Sequence, residues 1–421
     1  MNETKKHLFT AATVALCCAT LIGGIVWRNK VDVGEAGIFV AKDSEFGELL
    51  ASTKKSREVS ETSFYANLVK LLKENYVESV KDETKLALGS VKEMIGSLGD
   101  LNSRYFDAEE FRVYQNAMNG KYEGIGALFV LEIMKGSPSK GALPIPGQKS
   151  PVVPQERAKI PVARVAAVAP GGPADKAGVK AGDWVEAVDG RDVFSPKLFK
   201  EFMDARAMAR REDVPSEKKF EVSDRLQAKA ENMIMPVRAM RKLTIGDSGI
   251  VKVVFNRAGA SYERSIERSK SEVPAWTGAG NAAVLRFQPG VSKSLAAFLK
   301  GKQDVTLDLR NSGLGSLNEM AACLALVAPP GSYGSFVSER SKYSERLALK
   351  TGNPKPPTLT LLVDATTRGP AEIFAKALTG RPNVTIVGGK TAGALEQTLV
   401  VALPQGHGYT LVKGVYKGAA K

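Results

Sequence analysis

The chain has 421 residues, more than one ordinary domain holds, so two or three folded units are expected. An apolar content of 43% with 40 glycines suits a soluble α/β or α+β body rather than a disordered or fibrous chain. The net charge of +14 favours anionic partners, but Lys and Arg are dispersed among Asp and Glu without an aromatic-basic stripe or recognition helix. That distribution argues against nucleic-acid binding and fits a basic face turned toward anionic lipid better.

The first element is Leu8–Trp27, an uncharged and mostly apolar run about long enough to span a bilayer as a helix. Lys5 and Lys6 precede it, and Arg28 and Lys30 follow. No small-x-small cleavage site closes the run, so residues 1–30 read as an uncleaved signal-anchor, with the soluble part expected outside the cytoplasm, in a bacterial periplasm or cell envelope. The flanking charges are nearly balanced and orient the helix only weakly. Cys17 and Cys18 lie inside the run, and Leu16 stands where a lipobox needs a small residue, which argues against lipoprotein processing.

Outside that span only Cys323 remains, so the soluble part can form no internal disulfide. His7 and His407 are the only histidines, and one cysteine with one histidine cannot complete a zinc tetrahedron. No metal and no cofactor is expected. A Ser-His-Asp triad would have to use His407, which lies in the turn-like stretch PQGHGY.

Residues 31–60 read as a polar linker and residues 61–114 as a helical segment. In the latter, Phe64, Leu68, Leu71 and Leu72, then Leu86, Leu88, Val91 and Ile95, recur at helical spacing. Next comes KYEGIGALFV, a glycine-flanked turn leading into a strand, and later VARVAAVAPGGPADKAGVKAGDWVEAVDGRDV. In the latter, Pro173 opens a short helix, Gly178 and Gly182 supply turns, and Asp183–Val188 returns as a strand. Two insertions decorate this region. Residues 136–161 are rich in Pro, Gly and Ser and read as a loop; residues 195–235 are charged and helix-prone, interrupted by Pro215. Val251, Val253 and Phe255 then alternate as in a half-buried strand. From residue 281, AAVLRF reads as a strand, Ser292–Leu299 as a helix, and VTLDLRNSGLGSLNEMAACLALV as a buried strand, a glycine turn and a helix. LTLLVDATTRGPAEIFAKAL and VTIVGGKTAGALEQT follow as strand, elbow, helix, strand and glycine-rich turn. GGKTAGA invites a phosphate-loop reading, but GxxxxGKT needs a glycine where Val384 stands.

These phrases together resemble the C-terminal processing peptidases, also called tail-specific serine proteases, over residues 65–421. The glycine-flanked turn and the later VARV…GRDV stretch resemble the two halves of a PDZ domain, and LDLRNSGLG resembles that family's LDLRxNPGG signature. Asp308, Arg310, Asn311, Gly313 and Gly315 are retained there and the proline is absent. The resemblance implies an α/β fold, α+β overall. It would comprise a PDZ domain at 115–274 carrying both insertions and a ClpP/crotonase-like α/β core at 275–421. It also implies that Gly124, Ile125, Gly126 and Ala127 form a nest of backbone N–H groups for a peptide's terminal carboxylate. Leu128 and Phe129 would then continue as the strand that receives the peptide.

In that family a serine nucleophile sits three residues before the glutamate of the elbow, which places Gly369 at the position. The general-base lysine corresponds to Ala394, and the glutamine that assists it to Thr398, with Gln397 adjacent. Gly369 has no hydroxyl and Ala394 no amine. Pro370 occupies the position whose N–H serves the oxyanion in the family, and proline has none to give. Thr367 and Lys390 are the candidates for a displaced dyad, while Ser312 and Ser316 read as turn and helix-cap residues. The main expectation is a membrane-anchored homologue without the dyad that binds protein C-termini and scaffolds or regulates an active peptidase. An active peptidase with a displaced Thr/Lys dyad and a structural envelope protein remain as alternatives.

Overall fold

A computed structural model of the chain describes residues 82–133, 161–209, 211, 213–338 and 344–418, together with 68–70, 72 and 73. The apolar run Leu8–Trp27, the linker 31–60 and nearly all of the 136–161 insertion lie outside the described residues. Within them, no helix is long and apolar enough to cross a membrane. Helix α1 spans Glu83–Ser97.

Strand β1 (Tyr105–Phe106) leads into helix α2 (Ala108–Met118), and Asp107 sets the helix start through a capping box with Glu110. The Asp107 side chain accepts from the N–H groups of Glu109 and Glu110, and the Glu110 carboxylate accepts from the N–H of Asp107, so the first orphan donors are satisfied.

The PDZ region is a seven-stranded sheet. After β2 (Lys121–Tyr122), strands β3 (Ala127–Ile133), β4 (Pro161–Val168), β5 (Trp184–Val188), β6 (Arg191–Val193) and β7 (Met233–Ile234) follow one another across it. Strand β8 (Ile250–Arg257) pairs with β5 and with β9 (Ala260–Glu267). Helix α3 (Pro173–Lys176) follows β4. The 195–235 stretch forms helices α4 (Pro196–Ala209) and α5 (Ser216–Glu231), with Pro215 immediately before the second. Helix α6 (Pro236–Thr244) closes over the sheet. Ile125, Val165, Leu243, Val253 and Phe255 are at most 1% exposed and form the core here. Val251, Val253 and Phe255 all point inward because strand side chains alternate.

Strand β10 (Ser271–Glu272) returns to pair with β2. The remaining chain builds a second sheet in the order β11 (Trp276–Ala279), β12 (Ala282–Leu285), β13 (Asp304–Asp308), β16 (Thr358–Val363), β17 (Val384–Gly388). From β12 to β17 the strands are parallel. Helices α7 (Val291–Leu299), α8 (Leu317–Val327) and α9 (Gly369–Leu378) make the crossovers. Leu307, Leu361, Leu324 and Phe374 are fully buried between strands and helices, as a parallel sheet covered by helices demands. A third, antiparallel sheet joins β14 (Gly331–Val337), β15 (Ser344–Leu349), β18 (Glu396–Ala402) and β19 (Gly408–Lys417) to β1. In open parallel sheets, ligands bind beyond the carboxyl ends of the strands. Here three loops meet there: 309–316 after β13, 364–368 after β16, and 389–395 after β17.

Candidate functional site

Those three loops are stitched together by hydrogen bonds. Thr367 Oγ1 donates to the Leu309 carbonyl at 3.1 Å and accepts from the Asp364 N–H at 3.1 Å. Thr366 Oγ1 accepts from the Asn311 N–H and donates to Asp364 Oδ1, both at 2.5 Å. The Arg368 N–H donates to the Ser312 carbonyl at 3.1 Å, and the Ala392 N–H to the Thr367 carbonyl at 3.2 Å. The positions matched to nucleophile and base meet directly: the Gly369 N–H donates to the Ala394 carbonyl at 3.0 Å.

Glu372 explains why the 391–394 loop lies where it does. Its side chain is fully buried at the first turn of α9 and accepts from Thr391 Oγ1 at 2.7 Å, the Gly393 N–H at 2.9 Å and the Ala394 N–H at 2.8 Å. Lys376 lies 3.4 Å from the same carboxylate, one turn along. A buried charge needs such a set of donors. Gly369 takes φ of +52°, and a Cβ added there would meet nothing within 4 Å. The position therefore faces open space, in a backbone conformation that suits glycine. Pro370 follows within the first helical turn, where its missing N–H does not interrupt the helix.

The chemistry at this centre is sparse. Neither Gly369 nor Ala394 carries a functional group, and the Gly369 N–H is engaged with Ala394. Thr367, fully buried, uses its hydroxyl as both donor and acceptor within the loop. Lys390 is exposed and makes no hydrogen bond or ion pair among the described residues. The structure does not bring the two together as a hydroxyl-amine pair. Ser316 caps α8 by accepting from the Glu319 N–H, whereas Ser312 Oγ is buried without a hydrogen-bond partner among the described residues. His407 Nδ1 lies 2.6 Å from the Tyr105 hydroxyl, which ties the turn to β1. Cys323 is buried in the core and its thiol is pushed up to about 12, first by burial and then by Glu319, so it is a poor nucleophile. Among the described residues no cluster of His, Cys, Asp and Glu could hold a metal ion. Thr398 and Gln397 lie at the start of β18, where the ladder with β19 is irregular.

Several neighbours carry charge that the sequence reading did not single out. Arg368, at the helix cap, pairs with Glu132 of β3 at 3.3 Å, and Glu132 also pairs with Arg164 at 2.8 Å. Burial raises the Glu396 carboxyl above its usual range; Arg368 opposes this, while Asp100 and Glu372 add to it. Asn311, in the left-handed region at φ +53°, receives the Val168 N–H on Oδ1 at 3.0 Å and donates from Nδ2 to the Val168 carbonyl at 2.6 Å. One side-chain amide thus docks the end of a PDZ strand onto the β13 loop.

The glycine-flanked loop at Gly124–Ala127 differs from the expected nest. The Gly124 N–H donates to the Gly246 carbonyl at 2.7 Å, that of Ile125 to Leu243 at 2.9 Å, and that of Gly126 to Glu123 at 3.3 Å. The first two donors hold the loop against the end of α6 and the third closes the loop on itself, so none of the three is presented to a ligand. The glycine at 124 is a packing requirement, since a Cβ there would lie 2.1 Å from the Leu243 carbonyl oxygen. Strand β3 is the end strand of its sheet, so its outer edge has no strand partner among the described residues. Leu128 and Phe129 line a cavity of about 90 Å³ between that edge and α6, whose Val237 and Met240 form the facing wall. Helix α2 covers it, held by Arg241, which pairs with Asp107 and, at 2.8 Å, with Glu109.

A profile of peptidase family S41 matches residues 280–418, and a PDZ-domain profile matches residues 164–210. The carboxy-terminal-processing protease of Bartonella bacilliformis is 21% identical over 398 residues, covering 92% of this chain and 78% of that protein. The carboxy-terminal processing protease CtpA of Bacillus subtilis is 25% identical over 389 residues, covering 88% of this chain and 67% of that protein. Among solved structures, a photosystem II D1 C-terminal processing protease superposes with a TM-score of 0.54 at 17% identity, covering 89% of this chain and 87% of that one. At that identity the likeness speaks for the fold alone.

Proposed function

Because the chain belongs to the C-terminal processing peptidase family, we propose that it is a non-hydrolytic member that binds protein C-termini through its PDZ domain and scaffolds or regulates proteolysis. The observation that supports this most is the 3.0 Å bond from the Gly369 N–H to the Ala394 carbonyl. It makes the two positions matched to nucleophile and base neighbours in space, and neither residue has a group that can attack or accept a proton. Pro370 adds a missing oxyanion donor. Removing a nucleophile or its base alone costs on the order of 10⁶ in rate in a well-studied serine protease.

The binding part of the reading is supported by the unpaired edge of β3 beside an apolar cavity. An extended segment can add to such an edge by main-chain hydrogen bonds, with side-chain pockets choosing the sequence. In this reading residues 8–27 anchor the chain in a membrane and the rest works outside the cytoplasm, beside an active peptidase or its adaptor. The test is to incubate the full chain with an unstructured polypeptide ending in apolar residues, then measure mass and binding together. Saturable binding with the polypeptide left intact is the expected result. Turnover that disappears in Thr367→Ala or Lys390→Ala would overturn it in favour of a displaced dyad, and neither binding nor cleavage would point to a structural role.

A further inference from the structure

The cavity beside β3 contains a cation that the fold leaves without a counter-ion. Arg104 lines it, and its guanidinium makes no ion pair or side-chain hydrogen bond among the described residues; it rests over the Phe106 ring at 5.1 Å. Glu110 also lines the cavity, but its carboxylate is already engaged, accepting from the Asp107 N–H at 3.2 Å and lying 3.5 Å from Arg241. Tyr114, stacked on Phe106 with centroids 5.1 Å apart, brings a hydroxyl that has no hydrogen-bond partner among the described residues. Burial lowers the pKa of the partly buried Arg104, while Glu110 and Tyr114 oppose the shift. Leaving such a charge unpaired is costly, and an anion entering the cavity recovers that cost.

The rest of the lining selects the anion. Leu128, Phe129, Val237 and Met240 are apolar, and about 90 Å³ is roughly the room of one medium aliphatic side chain. The free edge of β3 runs along the same cavity. Three of the four loop N–H groups that would otherwise receive a terminal carboxylate, those of Gly124, Ile125 and Gly126, are bonded to Gly246, Leu243 and Glu123. We propose that this cavity receives the last residue of a bound polypeptide, with its aliphatic side chain among Leu128, Phe129, Val237 and Met240 and its α-carboxylate on Arg104 and Tyr114. The inference rests on the reading that the PDZ domain binds C-termini. It assigns the carboxylate to a residue supplied from outside that domain, so recognition requires the PDZ strand and the segment around α2 together.

The experiment uses the full chain and a short fluorescent peptide ending in valine, as the free acid and as the C-terminal amide, with binding followed by anisotropy. The native protein is expected to prefer the acid by about tenfold or more, the usual advantage of a charge-assisted hydrogen bond. Arg104→Met removes that preference and binds both forms as weakly as the native protein binds the amide, and Tyr114→Phe reduces it in part. If Arg104→Met fails to fold, Arg104→Gln, which keeps polarity and much of the length, is read in the same way. An Arg104 variant that retains the full acid preference overturns the inference and leaves C-terminal binding standing. A native protein that binds neither peptide overturns both.

Discussion

The Gly369 N–H points at the carbonyl of Ala394 at 3.0 Å, and the N–H of Ala394 points at Glu372, three residues beyond Gly369. This reciprocal stitching holds the elbow and the glycine-rich loop in register with neither a serine at 369 nor a lysine at 394. A side chain at Gly369 would enter open space, although its φ of +52° makes a non-glycine residue cost about 1 kcal/mol. The double variant Gly369→Ser/Ala394→Lys should therefore fold, yet remain almost without peptidase activity, because Pro370 still offers no N–H to an oxyanion. Adding Pro370→Ala should raise turnover of an apolar-ended peptide about 10²-fold over the double variant. Equal rates in the double and triple variants would show that Pro370 is no barrier.

Thr367 should matter for stability. Its buried hydroxyl joins Leu309 to Asp364, so Thr367→Val leaves a carbonyl and an N–H unsatisfied and should lower unfolding free energy by about 1–3 kcal/mol. The exposed Lys390 changed to Ala should stay within about 0.5 kcal/mol of the native protein. Urea unfolding of both variants checks the contrast, and comparable effects would argue against it.

Glu372 gathers one hydroxyl and two backbone N–H groups in a fully buried site. Glu372→Gln should cost about 2–3 kcal/mol, because an amide presents donors where donors already point and loses the charge-assisted bonds. Hydrogen exchange at Gly393 and Ala394 should accelerate with it. A variant with unaltered exchange there would mean that the loop is held by other contacts.

In the PDZ domain, Asp183 is 1% exposed and accepts from Arg257 at 2.7 and 2.8 Å, from the Tyr262 hydroxyl at 2.5 Å and from the Lys180 N–H at 2.7 Å. Burial pushes its carboxyl up, but Arg257, Tyr262 and the Lys180 N–H outweigh it and hold the group below the usual range. Tyr262 is pushed up to about 12 by burial and by Asp183. A depressed folded-state pKa stabilises the fold above the unfolded value, about 3.9, and that contribution is lost as pH falls through the folded value. Asp183→Asn should therefore cost about 3 kcal/mol at neutral pH, with the gap to the native protein narrowing below about pH 4. Thermal melts across that range check the sign, and a gap that widens on acidification would contradict it.

Much of this architecture is readable along the chain. Val251, Val253 and Phe255 declare a half-buried strand by alternation, and VTLDLR and LTLLV declare two further strands, whose parallel pairing only the structure shows. Gly369, Pro370 and Ala394 declare missing groups, because a side chain that is absent from the sequence is absent in any fold. These are local properties, fixed by residue type and period. What only the tertiary structure decided is where polar groups point. The N–H groups of Gly124, Ile125 and Gly126 turn toward Glu123 and the end of α6 rather than toward a ligand, and the hydroxyl of Thr367 turns into the loop. Glu372, no more than a marker for counting along the chain, is the buried anchor of the neighbouring loop. Arg104 lines a cavity with Leu128 and Phe129 of a PDZ strand, and no carboxylate of the described residues pairs with it there. Hydrogen-bond direction and burial depend on partners distant in sequence, and no pattern of spacing along one segment carries that information.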